Sequence, residues 1–248
     1  MTEMETYANN ECYRAIYTAG EDLLGDLGLD ITQDEINFLI QTMNNSGIDH
    51  SGEQKNRCFD YAFDRLDSSW LIPNDSLLSP LLRGGESRFS DGSFGMFYAA
   101  EDEDTALLEV IYHDVARARE YFDHQPDVET WTTPKCIYIC NIETRFAVDL
   151  TKRDDTNEIV NPVSYRYSRK VGKDLHDRRV QLIRYPSARN TDGICLAILS
   201  PLAIVGVSKW KYYRIVLVNH GGTIAHKVTR NDKKELIFKE GGEPEIQL

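Results

Sequence analysis

No stretch of the 248-residue sequence approaches the ~18 consecutive apolar residues that a membrane-crossing helix needs. The first residues, MTEMETYANNECYRAIY, carry neither a basic leader nor an apolar core, so no signal peptide is expected from them and the expected location is the cytoplasm. Positive charge is scarce as well: 28 Lys and Arg stand against 40 Asp and Glu, a formal net charge of -12. That excess argues against direct nucleic-acid binding, whose affinity comes largely from neutralising phosphates. Any anionic ligand must then be held by a few local arginines. Cysteine is sparse and odd in number, five in all, with no C-x-x-C pair. Cys136, Cys140 and Cys195 sit inside apolar runs, which predicts buried free thiols in a reducing compartment and gives a nucleophilic cysteine no support. The six histidines show no H-E-x-x-H or similar ligand spacing, so no metal is expected. Phosphate-loop (GxxxxGK[ST]), dinucleotide-fold (GxGxxG) and serine-hydrolase (GxSxG) signatures do not occur.

What is present is an ordinary globular composition, 41% hydrophobic and 27% charged, in a chain long enough to bury a core without staples. Residues 1–80 read as an N-terminal helical portion. Ile36, Leu39, Ile40 and Met43 recur at helical spacing in 33–45, as do Phe59, Ala62, Phe63 and Leu66 in 55–70. Residues 81–95 hold four glycines among charged and polar residues, and MFYAA (96–100) reads as a short strand. The clearest helix is 101–122: its acids cluster at the N-terminus, where the helix dipole favours them, and Leu107, Val110, Ile111, Val115 and Ala118 make one apolar stripe. Strands are expected at 135–142, 146–150, 213–219 and in the runs GICLAILS and PLAIVGV, with a helix over 170–185 and a hairpin in the tail beyond 220. The sum is α+β without regular βαβ alternation. It divides into the N-terminal portion, a core over 81–220 and a tail over 221–248, within one compact domain.

Chemistry-bearing residues lie in the glycine-rich loop, the first clear helix and the turn RYPSARNTDG (184–193). Arg83 and Arg88 offer planar forks suited to phosphate or carboxylate, among glycines that permit close backbone approach; solvated arginines in a surface loop are the structural alternative. Glu109 lies nearly opposite the stripe of its helix, so it is either solvated or lines a cleft. Tyr98 alternates with Phe97 along the strand, a core aromatic or a site wall. Ser187, after the turn-stiffening Pro186, has no evident base; a hydrogen-bonding role for its hydroxyl and for the Asn190 amide fits better than nucleophilic attack.

The order of these pieces resembles the RES domain family. Arg88-Phe89, the Gly92–Gly95 loop, Phe97-Tyr98-Ala99 and Ala106 to Glu109 correspond to its first signature. Pro186 to Asn190 ahead of GICLAIL corresponds to its second. The resemblance covers residues 83 to about 205. It implies an ADP-ribosyltransferase-like fold, a split β-sheet core with flanking helices, with residues 15–80 forming an N-terminal helical insertion. It also implies a toxin that consumes NAD+ as a glycohydrolase or phosphorylase, with ADP-ribosyl transfer to protein as the alternative, and an Xre-type antitoxin as partner. A second copy of the chain is a further candidate partner. The residues carried over are Arg88, Glu109 and Ser187 for catalysis, and Tyr98, Asn190 and either Arg14 or Arg83 for binding the dinucleotide. A catalytically silent interaction module is the alternative of another class.

Overall fold

The computed structural model describes residues 3–17, 80–81, 84–230, 235–238 and 245–246. The helical segments expected at 33–45 and 55–70, together with Arg83 and Cys58, lie outside them. Among the described residues the chain is α+β: β1 (Glu5–Tyr17), β2 (Phe97–Ala100), α1 (Glu103–His124), β3 (Thr130–Asp149), a single turn of helix α2 (Thr156–Ile159), α3 (Arg166–Asp177), β4 (Leu182–Pro186), β5 (Ile194–Ile198), β6 (Ile204–His220), β7 (Thr223–Arg230), β8 (Glu235–Phe238) and β9 (Glu245–Ile246). The strands run in the order β1-β2-β5-β4-β3-β6-β7-β8-β9, and β1 pairs in addition with β3.

That extra pairing closes β1, β2, β5, β4 and β3 into a ring. The long β3 makes this possible, because its two edges are used differently along its length. Antiparallel β1 runs along one edge, while the other serves β6 over Thr130–Ile142 and parallel β4 over Ala147–Asp149. The ring closes where Tyr13 of β1 meets Ala100 of β2. One apolar cluster draws on every strand of the ring, including Cys12, Phe97, Cys140, Leu182 and Leu196. A second lies under α1, whose Leu107, Ile111, Val115, Ala118 and Phe122 pack on Ile137, Ile215, Leu217 and Val228. A third lies under α3, where Leu175 joins Phe89, Leu150, Ile159, Ile183 and Tyr185.

Several elements depart from the sequence expectations for identifiable reasons. Residues 5–17, assigned to the helical N-terminal portion, form β1; its Asn9-Asn10-Glu11 stretch is polar because a bulge interrupts the pairing there. The strands expected at 135–142 and 146–150 are one strand, since the polar Glu143 and Arg145 between them are solvent-facing positions and no turn. In the same way the runs at 201–207 and 213–219 belong largely to the single strand β6. The helix expected over 170–185 is α3, which stops at Asp177 and is followed by β4. Its end is a left-handed residue with the Val180 N–H bonded to the Leu175 carbonyl, yet that residue is Arg179 (φ 60°), where a glycine or asparagine would have announced the stop.

α3 is pressed onto the glycine-rich segment. The Ser168 hydroxyl donates to the Arg88 carbonyl at 2.6 Å, and Arg169 Nε donates to the Ser87 carbonyl at 3.0 Å. A Cβ at Gly172 would overlap the Phe89 carbonyl oxygen and stand 2.7 Å from its carbon. At an unconstrained helical position Gly→Ala gains roughly 1 kcal/mol. Here we expect Gly172→Ala to cost about 1–3 kcal/mol, because the segment bearing Arg88 must be pushed away. Chemical denaturation measures it, and a raised midpoint would refute the close approach.

Candidate active site

The acids that open α1 do more than match its dipole. Asp102 is the N-cap, accepting from the Thr105 N–H at 2.7 Å, while the Thr105 hydroxyl donates to its second oxygen at 2.7 Å. That same hydroxyl oxygen accepts from Asn190 Nδ2 at 2.8 Å. The turn 187–193 is thereby tied to the first turn of α1. Gly193 is needed at the join, since a Cβ there would overlap Thr105 Oγ1 and stand 2.8 Å from Asn190 Cβ. The turn closes on itself as well. The Ser187 N–H bonds the Gly193 carbonyl, and the Ser187 hydroxyl oxygen accepts from the N–H groups of Arg189 (3.0 Å) and Asn190 (3.1 Å).

So held, Ser187 donates its own hydroxyl proton to Glu109 Oε1 at 2.6 Å. The Cys195 thiol faces the same oxygen at 3.6 Å. One carboxylate oxygen is thus committed to the chain, and the other has no partner among the described residues. Glu109 lies on the wall of a cavity of about 590 Å³, which Arg14, Arg88, Tyr98, His113 and Arg117 also line. The volume falls within the roughly 300–1,000 Å³ range of small-molecule and cofactor sites.

Tyr98 is pinned at its hydroxyl, which donates to Ser87 Oγ at 2.8 Å and accepts from the Phe89 N–H at 3.2 Å. Burial pushes its phenol up to about 12, so it is a neutral donor at any physiological pH. Arg14, on the ring strand β1, donates from Nη1 to the Tyr98 carbonyl at 2.6 Å and stacks over Phe97 at 4.2 Å. Its Nε has no hydrogen-bond partner among the described residues, and burial pulls the guanidinium down to about 10. Arg88 is buried. Its Nη1 donates to the carbonyls of Ile159 and Asn161 at 3.0 and 3.1 Å, and its plane lies over Tyr165. His113 stands at the solvent-exposed rim; desolvation on its wall side holds it below its ordinary value, and Glu109 opposes that shift.

The residues singled out from sequence therefore separate into two groups. Arg14, Arg88, Tyr98 and Glu109 line one cavity, and Ser187 reaches it through Glu109. Asn190, expected on the ligand, has its amide on Thr105 and is a brace of the turn. Arg83 lies outside the described residues. Not anticipated were Ser87, which holds the Tyr98 hydroxyl, and Cys195 beside Glu109. His113 and Arg117 were also missed, although their spacing of four and eight from Glu109 was legible. The thiols of Cys12, Cys140 and Cys195 are buried, unpaired and pushed up by that burial, an environment that does not favour thiolate. Among the described residues no three His, Cys, Asp or Glu side chains group to hold a metal ion, and no helix is long and apolar enough to cross a membrane.

A family model described as the RES domain matches residues 65–215. No curated protein matches the sequence. Among solved structures, a chain of the M. tuberculosis MbcT–MbcA toxin–antitoxin complex is similar in outline, with a TM-score of 0.44 at 9% identity over 84% of this chain and 86% of that one.

Proposed function

This chain belongs to the RES domain family, and from that premise together with the cavity we propose that it is a toxin that consumes NAD+ by breaking the nicotinamide–ribose bond. The observation that carries the reading is the carboxylate of Glu109, oriented by Ser187 on the wall of a cavity that Arg14, Arg88, Arg117, Tyr98 and Tyr165 also line; the other acid there, Glu86, is paired with Arg169. Heterolysis of this bond passes through an oxocarbenium-like state, as in glycoside hydrolysis. Nicotinamide departs neutral from its pyridinium form, so no general acid is needed and one carboxylate suffices where glycosidases use two.

In this reading the free oxygen of Glu109 holds a ribose hydroxyl and stabilises the positive charge that develops at the anomeric carbon. Its orientation is fixed beforehand by the Ser187 proton, which is electrostatic preorganisation. Tyr98 packs against the nicotinamide or its ribose. Arg14 and Arg88, braced by backbone carbonyls, shape the wall and supply positive potential. The turn 187–193 is an orienting element, acting on Glu109 through the Ser187 hydroxyl, with no nucleophile in it. The acceptor is water, giving a glycohydrolase, or phosphate, giving a phosphorylase; a protein side chain would make the chain an ADP-ribosyltransferase. The family resemblance further implies a cytoplasmic toxin restrained by an Xre-type antitoxin.

Incubating purified protein with NAD+, with and without phosphate and cell lysate, tests this. Free nicotinamide is the expected product, and its ADP-ribose co-product appears free, phosphorylated or on protein according to the acceptor. Absence of nicotinamide under all three conditions would remove the enzymatic assignment and leave a silent interaction module.

A further inference from the structure

α1 carries Glu109, His113 and Arg117 at intervals of four residues, hence on one face, and all three line the cavity. The cleavage chemistry uses only the first. A helix rises about 1.5 Å per residue, which puts the Arg117 Cα roughly 12 Å beyond that of Glu109. Long side chains on a helix lean toward its N-terminus, so the Arg117 guanidinium serves the span between them, over His113.

The three cavity arginines are not equivalent. Arg14 is engaged with the Tyr98 carbonyl and the Phe97 ring, and Arg88 with two carbonyls and the Tyr165 ring. Arg117 has one ion-pair partner among the described residues, Asp114, at 3.5 Å. The charge of Asp114 is already answered by Lys135 Nζ at 2.7 Å, and the Thr133 hydroxyl donates to it at 2.7 Å. Arg117 is therefore a net positive group with donors to spare, 67% exposed at the mouth of a cavity in a chain of net charge -12. Glu86, the other acid on the wall, is paired with Arg169 at 3.0 Å and so does not cancel it. A planar fork of this kind suits phosphate.

We propose that Arg117, with His113 beside it, is the diphosphate subsite: the dinucleotide lies along α1, its nicotinamide ribose at Glu109 and its diphosphate one to two helical turns further on. This rests on the reading of the cavity as an NAD+-cleaving site and adds the ligand's direction. His113, held neutral at its rim position, contributes a hydrogen bond and no charge. Specificity follows, because a substrate with the same scissile bond and no phosphate gains nothing from Arg117.

The test compares NAD+ with nicotinamide riboside, which keeps the bond and lacks the phosphates, in wild type, Arg117→Ala and Arg117→Lys. Arg117→Ala should raise the KM for NAD+ roughly tenfold, the scale of one charge-assisted contact, with kcat within about twofold. Arg117→Lys should recover most of the loss, and kinetics on nicotinamide riboside should not change. An unaltered KM for NAD+, or equal loss on both substrates, overturns the subsite. Calorimetric titration with ADP-ribose provides a readout free of turnover: wild type should bind, and Arg117→Ala should bind roughly tenfold more weakly. If wild type releases no nicotinamide, the cleavage reading fails while this titration still decides the subsite. Lack of ADP-ribose binding by wild type, or equal binding by Arg117→Ala, overturns it.

Discussion

Glu109→Gln should lower nicotinamide release from NAD+ by at least ~100-fold while leaving the melting temperature unchanged. The substitution keeps the shape of the side chain and an oxygen to accept the Ser187 proton, so the link between the 187–193 turn and α1 survives. What disappears is the negative charge that, in the proposed reaction, faces the anomeric carbon. A 100-fold loss corresponds to about 2.7 kcal/mol of transition-state stabilisation, the range found when one preorganised group is removed from a dry site. Because the charge matters chiefly as the oxocarbenium develops, the loss should fall on kcat with little change in KM, the opposite split from Arg117→Ala. Glu109 is part-buried and joined to no salt bridge among the described residues, so stability has little to lose. Full activity in Glu109→Gln would mean that the carboxylate is not the catalytic group. Loss of activity together with a lowered melting temperature would mean that it was reporting on the fold.

The legibility of this site from sequence was uneven, and the pattern has physical causes. Glu109 could be placed because α1 is long and one-sided: Leu107, Ile111, Val115 and Ala118 fix which face is buried, and the opposite face follows from the helical period. Tyr98 could be placed because a strand alternates, and Phe97 is indeed in the core while Tyr98 lines the cavity. The partners of these residues could not be read, because they come from distant parts of the chain. Ser87 and Phe89 hold the Tyr98 hydroxyl across a glycine-rich turn that has no period. The Asn190 amide and the Thr105 hydroxyl meet across 85 positions. Arg14 was recognised only by resemblance, since β1 has neither the apolar alternation nor the β-branched content that announces a strand. Its polar stretch is a bulge, and its pairing is fixed by β3. The end of α3 was hidden for a local reason: Arg179 takes a backbone conformation for which sequence rules expect glycine.

Beneath α1 lies the other large effect. Asp114, next to His113 on α1, is 1% exposed, and its partner Lys135 on β3 is 3% exposed. The two meet at 2.7 Å, with the Thr133 hydroxyl donating to the same carboxylate oxygen. This is an ion pair buried between α1 and the sheet, flanked by the cluster of Leu107, Ile111, Val115 and Ile137. Desolvation holds the lysine below its ordinary value, and the aspartate opposes that shift without cancelling it. Removing one partner therefore leaves an uncompensated charge in an apolar layer, which typically costs about 3–5 kcal/mol. Asp114→Ala should destabilise the protein by that amount, a drop in melting temperature on the order of 10 °C for a chain of this size. Asp114→Leu combined with Lys135→Met removes both charges and fills the space, and should recover most of the loss, because a buried pair adds little over an apolar pair of similar volume. If Asp114→Ala costs no more than a surface substitution, the pair is not buried in solution. If the double variant stays as unstable as the single one, packing and not charge governs this layer. Activity separates the two roles of the helix. The double variant, refolded around an apolar contact, should keep Glu109 in place and retain kcat, while its KM for NAD+ reports whether Arg117 still projects into the cavity without Asp114 beside it.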